Sequence, residues 1–303
     1  LFTGLLTSFK YLQHWAPCYD FGIFSQMFNY MKETLQPLTT CERDGLLSHF
    51  AVHFSPIYYL LLPFFFIFPS PVTLLMGQAA IIASGLIPLY LICKRHKLSN
   101  AAVILFSLCY VLLPSMANGC FFFLHENKFL TPLILWLAFA LEKNKWIPSV
   151  IFTLLLLAVK EDAPVYAAVL GLYFIVSRRN ISKGALVFVL SIIYFITVSY
   201  FMSKYGLGTM SYRYDNFIYD GSGSLFTVIK AVILNPIYTV HEAFDEEKIK
   251  FILQMLVPLA FMPLMIKKPS RIILLIPFIL LNLMSDYTCL LYTSDAADDR
   301  ISV

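Results

Sequence analysis

The chain has 303 residues, 59% of them hydrophobic and 13% charged, with a mean hydropathy of +0.75. That composition excludes an ordinary soluble domain, and the repeated long apolar runs indicate an all-α polytopic membrane protein. The net charge of +4 carries no nucleic-acid signature, so no nucleic-acid partner is expected and the placement of the charges matters more than their sum.

The first residues, to about Ser8, read as the end of a first membrane helix whose start precedes Leu1. The chain is thus expected to be a fragment lacking that helix and a C-terminal part. Residues 9–71 read as an outer loop. In "APCYDFGIFSQMFNY" Asp20 stands among aromatics beside Gly22. It either caps a helix beginning at Phe21 or serves as a general base at a membrane-surface cleft. In "SHFAVHF" His49 and His53 are four apart, on one helix face. With a carboxylate such as Asp44 or Glu126 they could hold a divalent metal, and hydrogen bonding to substrate or loop backbone explains them equally well. No cofactor is otherwise called for. The six cysteines form no CxxC pair, so a zinc ribbon or thioredoxin-like site is unsupported. A Cys18–Cys41 pair is left open.

The stretch "HFSPIYYLLLPFFFIFPSP", 53–71, is apolar enough to cross, but Pro56, Pro63, Pro69 and Pro71 break it. It is expected to lie on the outer side as a re-entrant or surface helix pair. Crossings follow at about 72–93, 100–117, 121–141, 146–159, 163–177, 184–203, 249–266 and 271–285. The short loops 94–97, 142–145, 178–183 and 267–271 contain eleven Lys and Arg against one acid, Glu142. Excess Lys and Arg in short loops marks the cytoplasmic side, and with these four loops inside all eight crossings alternate without conflict.

Two segments place ionisable groups at membrane depth near the outer side. A helix over 129–141 would be only about 20 Å long, so it is expected to include 121–128 in order to cross a core about 30 Å thick. His125, Glu126 and Lys128 then lie near its outer end. Lys160, Glu161 and Asp162 form the tip of a hairpin whose arms, 146–159 and 163–177, reach only about 21 and 22 Å. The tip is therefore expected to be sunken below the outer surface, with Asp162 capping the second arm and Pro164 in its first turn. Such convergence marks a functional site, although a structural Glu126–Lys160 ion pair accounts for it as well.

The longest outer loop, 204–248, contains Arg213 between Tyr212 and Tyr214, a fork of donors flanked by stacking rings that suits phosphate or sugar. A surface ion pair with Asp215 is the plainer explanation. "HEAFDEEKIK" reads as the solvated start of an interfacial helix. Residues 1–288 are taken as a single transmembrane domain. The tail 289–303, which contains "YTSDAADDRISV", resembles translated sequencing-adapter read-through and is set aside as non-native.

The motifs "YDFGIF", "HFSPIYYLLLPFFFIFPSP", "LHENKFLTPLILW", "VKEDAP", "YRYDN" with "YDGSGS", and "KPSRIILLIPFILLNLMSDY" together resemble the bacterial membrane family called domain of unknown function 2079, across about residues 10 to 288. That family in turn resembles the glycosyltransferase C superfamily, relatives of the protein mannosyltransferases and of the aminoarabinose transferase of lipid A. The resemblance implies a glycosyltransferase C-like bundle in the bacterial cytoplasmic membrane, its site facing outside. It makes Asp20 the first-loop catalytic Asp, 56–71 the proline-broken helices, Glu126 the second acid and Lys160 the lysine of a Lys-Pro tip. Glu161 and Asp162 depart from that tip's glycine, and Phe123 stands where relatives often carry Asp before the His-Glu pair. The implied reaction moves a sugar from a polyprenyl-phosphate carrier: Asp20 deprotonates the acceptor, and Lys160 with Arg213 stabilises the leaving phosphate, with His125, Glu161, Tyr212 and Tyr214 lining the substrate. The rivals are a transporter or flippase using Glu126, Lys160 and Glu161, and a non-catalytic binder of lipid-linked sugar. No Gly- or Pro-interrupted crossings recur in two matching halves, which gives inverted-repeat transport no support.

Overall fold

The computed structural model describes residues 2–15, 18–43, 45–112, 124–208, 211–218, 225–265 and 267–286, without the side chains of 18–20, 211, 212, 225, 226 and 229. It is mostly helical, in two compact units, Leu1–Gly208 and Thr209–Val303. The suspected tail, Phe123, and the ends of the expected crossings 100–117 and 121–141 lie outside the described residues.

In the first unit, α1 (Phe2–Leu12) runs four residues past its expected end and packs on α4 (Pro71–Ser84). A Cβ at Gly4 would stand 2.8 Å from Met76 Sδ and 2.9 Å from Ala79 Cβ, so only glycine permits this approach. The helix α2 (Cys18–Thr34) is followed by a two-stranded hairpin, β1 (Leu38–Thr39) and β2 (Leu47–Ser48), with Leu38 opposite Ser48. Gln26 of α2 clamps it: its Oε1 accepts from Thr39 Oγ1 at 2.9 Å and Thr40 N at 2.8 Å. Cys41 in the connecting loop is a free thiol.

The prolines of 53–71 act as expected. They leave a 3-10 turn, Pro56–Leu60, and a short α3 (Leu62–Ile67), about 9 Å long and far too short to cross. Phe64, Phe66, Ile67 and Phe68 are exposed, an apolar face suited to lipid. Ser70 then caps α4 by accepting from Val72 N at 3.3 Å, with Pro71 where its missing N–H costs nothing. Among the described residues, α4 and α5 (Leu86–Arg95) together form one of two stretches long and apolar enough to cross a membrane, and α10 (Ile181–Tyr205) forms the other, each of 25 residues.

Between them run α6 (Asn100–Leu112), α7 (Leu130–Glu142), α8 (Trp146–Leu157) and α9 (Ala163–Val176). The third expected crossing is not a continuous helix. Rather than running as α-helix through 125–129, the chain is extended at His125 (φ −155°, ψ 131°) and makes a 3-10 turn over Glu126–Phe129 before α7. The reason is polar: His125 N donates to Gln78 Oε1 of α4 at 2.9 Å, a tertiary bond that replaces a helical one. The backbones of α9 and α10 meet at Gly171 and Gly184, where an added Cβ on either would stand 2.7 Å from the other's carbonyl oxygen.

Loops 94–97, 142–145 and 178–183 gather at one end of these helices. His96 Nε2 and Arg179 NH1 each lie 3.0 Å from Glu142 Oε1, and Arg95 Nε lies 3.6 Å from its Oε2. At the opposite end, Ile57 N donates to Ala158 O at 2.8 Å and Leu207 N to Ala51 O at 2.8 Å. The proline-broken segment, the hairpin tip and the end of α10 therefore share the end away from the basic loops.

The second unit contains a 3-10 segment, Ser211–Phe217, then α11 (Leu225–Leu234), α12 (Pro236–Ala243) and α13 (Glu246–Leu256). Asp245 caps α13 by accepting from Lys248 N at 2.8 Å, the helix start expected from "HEAFDEEKIK". The stretch expected to be helical over 249–266 instead breaks after Leu256, with left-handed backbone at Ala260 (φ 47°) and Phe261 (φ 55°). Val257–Leu259 and Met262–Leu264 are 3-10 turns with prolines at their starts, which cannot donate into a continuing helix. The next stretch, Pro269–Leu283, is a mixed helical segment.

Candidate functional site

The site is built on the hairpin tip. The chain leaves α8 at Leu157, turns through 158–162 and enters α9 at Ala163. The arms have 12 and 14 residues, about 18 and 21 Å, shorter than a membrane core about 30 Å thick, and Val159, Lys160 and Ala163 are buried. Asp162 occupies the N-cap position of α9, but its side chain makes no capping hydrogen bond. Its backbone is in the helical region (φ −95°, ψ −13°) rather than the extended conformation from which a side chain reaches back.

Lys160 Nζ lies 3.1 Å from Glu126 Oε1, and Tyr58 Oη donates to Glu126 Oε2 at 2.5 Å. All three residues are buried. A buried carboxylate is tolerable when both oxygens are satisfied, and these partners do so from two directions. Burial, reinforced by the neighbouring Glu126 charge, pushes the Tyr58 phenol well above its usual range, so it is a fixed donor. His125 Nδ1 stands 3.3 Å from Glu126 Oε2 and accepts from Asn127 N at 3.3 Å. That acceptor role assigns the neutral ring's proton to Nε2.

A second cluster adjoins the first. His53 Nδ1 bonds Glu161 Oε1 at 2.9 Å, and Phe54 N donates to Glu161 Oε2 at 3.1 Å, so the outer loop is tied to the tip through one carboxylate. Burial alone would raise the Glu161 carboxyl. The His53 bond and the Lys160 charge outweigh it and hold Glu161 below its usual range. His49 Nδ1 bonds Glu42 Oε2 at 2.8 Å in a third pair, with both residues buried.

An aromatic wall joins these clusters. Phe24 of α2 lies 5.5 Å from the His49 ring, 5.2 Å from Tyr58 and 6.3 Å from His125, centroid to centroid. The His49 and His53 rings are 6.0 Å apart, as the spacing suggested, although a 3-10 turn, His49–Ala51, carries the first rather than an α-helix. Each ring is turned to its own carboxylate. Among the described residues no three His, Cys, Asp or Glu side chains form a group that could hold a metal. Asp44 and the side chain of Asp20 lie outside the described residues.

Asp20 is the third residue of α2, so it does not cap a helix beginning at Phe21. It is one turn before Phe24, on the same face of the helix. Arg213 and Tyr214 belong to the second unit: Tyr214 Oη donates to Leu280 O at 3.2 Å, and the Arg213 carbonyl accepts from Asp286 N at 2.8 Å. The Tyr212 side chain lies outside the described residues.

Glu42, Tyr58 and Gln78 were missed from sequence. Gln78 had a signal, since it is a lone amide within an apolar run, and it lies about 10 Å along α4 from Pro71. Through its bond to His125 N it ties the site to the interior of a candidate membrane span. Tyr58 and Glu42 had none: one sits in "IYYLLL", the other in a polar loop.

Residues 14–293 match the family described as predicted membrane protein (DUF2079). The chain belongs to that family. It is accordingly a membrane protein, and the bilayer is its environment. No curated protein and no solved structure matches it.

Proposed function

We propose that this DUF2079 protein is a polytopic, glycosyltransferase C-like enzyme of the bacterial cytoplasmic membrane. It transfers a sugar from a polyprenyl-phosphate carrier to an acceptor at the outer face. The observation that carries the reading is the packing of Phe24 against Tyr58, His49 and His125. One turn from Asp20, that ring packs on Tyr58 and His125, the side chains that touch Glu126, and this supports the reading. In this reading Asp20 is the general base. The Glu126–Lys160 pair supplies a cation whose position is set before the carrier arrives, as a leaving phosphate requires. Three basic loops at the far end of the helices support an outward-facing site.

The topology has its own test. In a cysteine-free background, an impermeant thiol reagent applied to intact cells is expected to label Leu46→Cys and to leave Lys143→Cys unlabelled. Both positions are exposed, or flanked by exposed residues, and neither makes a described side-chain hydrogen bond or ion pair. Labelling of both from outside would reverse the assignment. The chemistry is tested by native mass spectrometry of the purified chain, which is expected to retain a polyprenyl-phosphate-linked sugar. Absence of any such lipid, together with no transfer in a reconstituted assay, would overturn the proposal.

A further inference from the structure

The Glu42–His49 pair is not used by the proposed chemistry, and its geometry is unlike that of the other two histidine pairs. Glu42 lies in the hairpin loop that Gln26 clamps to α2, and β2 runs directly into the turn that carries His49. His49 N donates to Pro37 O at 2.7 Å, which fixes the backbone across the hairpin base. A carboxylate at Glu42 can only accept, so the 2.8 Å contact assigns a proton to His49 Nδ1, and in the neutral ring Nε2 then has the lone pair. The residue is 2% exposed, and Nε2 has no hydrogen-bond partner among the described residues. His125 has the opposite assignment, its Nδ1 accepting from backbone.

A buried acceptor without a donor is destabilising, yet this one is held in place by the Glu42 carboxylate. The same carboxylate–histidine device elsewhere orients imidazole toward a ligand. The ring is flanked by Phe24 at 5.5 Å and Tyr58 at 6.0 Å, with His53 at 6.0 Å. An aromatic wall beside one strong acceptor suits a ligand with an apolar ring face and a hydroxyl at its edge.

We infer that the Glu42–His49 dyad is a hydroxyl-recognition site, in which His49 Nε2 accepts from an O–H of the carried sugar. The inference rests on the lipid-linked sugar reading and adds the part of the carrier that the dyad recognises. His49 touches the sugar without taking part in bond breaking, while Glu42 is a positioning residue that sets the ring's tautomer.

The test compares binding of a polyprenyl-phosphate-linked hexose with that of the bare polyprenyl phosphate by native mass spectrometry. Wild type is expected to prefer the glycosylated carrier by about tenfold, the worth of one good hydrogen bond. His49→Phe, which keeps a planar ring, is expected to bind both carriers equally and to retain the bare one at wild-type strength. Glu42→Gln should lower the preference part of the way. A wild type that binds both carriers, with His49→Phe keeping the preference, overturns the dyad's role and leaves the transferase reading standing. A wild type that binds neither overturns both. Nitrogen-15 spectra of histidine-labelled wild type give a measurement that needs no variant. They should contain a buried unprotonated Nε2 whose signal moves with the glycosylated carrier and not with the bare one. An unmoved signal also overturns the inference.

Discussion

Lys160→Met is expected to destabilise the protein by about 3–5 kcal/mol, because it leaves the Glu126 carboxylate buried and short of its cation. Glu126 is 1% exposed and the Lys160 side chain 5%, so water cannot take the missing partner's place without opening the tip. Tyr58 would still satisfy Oε2, but a single phenol does not neutralise a charge. Removing both charges in Lys160→Met with Glu126→Gln should recover most of the stability, since a neutral amide can still accept from Tyr58 and no charge is stranded. Transfer separates the roles. If Lys160 stabilises the leaving phosphate, the double variant is stable and inactive. Arg at 160 then rescues only partly, since its planar fork is larger than the ammonium it replaces. If Lys160 serves only to neutralise Glu126, the double variant regains transfer along with its melting temperature. A cycle scored for melting temperature, carrier binding and transfer distinguishes these, and restored transfer without Lys160 would remove the phosphate role. In a transporter, proteoliposome flux would change across the series while sugar transfer was absent from every variant.

The interest of this pair lies in how much of it could be read from the chain. Charges within apolar runs are costly, so Glu126 and Lys160 announced themselves. The length of each arm put them at one depth, and the structure brings them to 3.1 Å. Prolines at 56, 63, 69 and 71 were equally legible, because a missing N–H and a fixed φ act locally. The charge count put four short loops on one side, and the structure gathers three of them around Glu142. What could not be read depended on tertiary partners. His125 left the helical path for Gln78, 47 residues away, and no local rule foretells that. Glu42 and Tyr58 became site residues only when the hairpin and the 3-10 turn folded against α2. The break after Leu256 carried a local signal, in Pro258 and Pro263, that the apolar count over 249–266 overrode.

Asp20→Asn is expected to keep the fold and carrier binding and to lower transfer by roughly 10²–10⁴-fold, the usual contribution of a positioned general base. Asp20 lies within α2, three residues from its start, where a carboxylate or its amide is equally compatible with the helix; losing a favourable charge near that N-terminus costs only about 0.3–1 kcal/mol. One turn on, Phe24 packs against Tyr58 and His125, the residues that touch Glu126. Position 20 is thus one turn from the ring that packs on these residues, the register that the proposed role as base for an acceptor hydroxyl requires. Asn keeps the shape and removes the proton acceptor, so the loss should fall on kcat, with little change in KM for the carrier. Glu at the same position, longer by one methylene, should retain a small fraction of the rate, and its pH profile should still rise with ionisation of a carboxylate. If Asp20→Asn transfers sugar at the wild-type rate, the residue is part of the helix and nothing more. The base must then be sought among the histidines on the other side of Phe24.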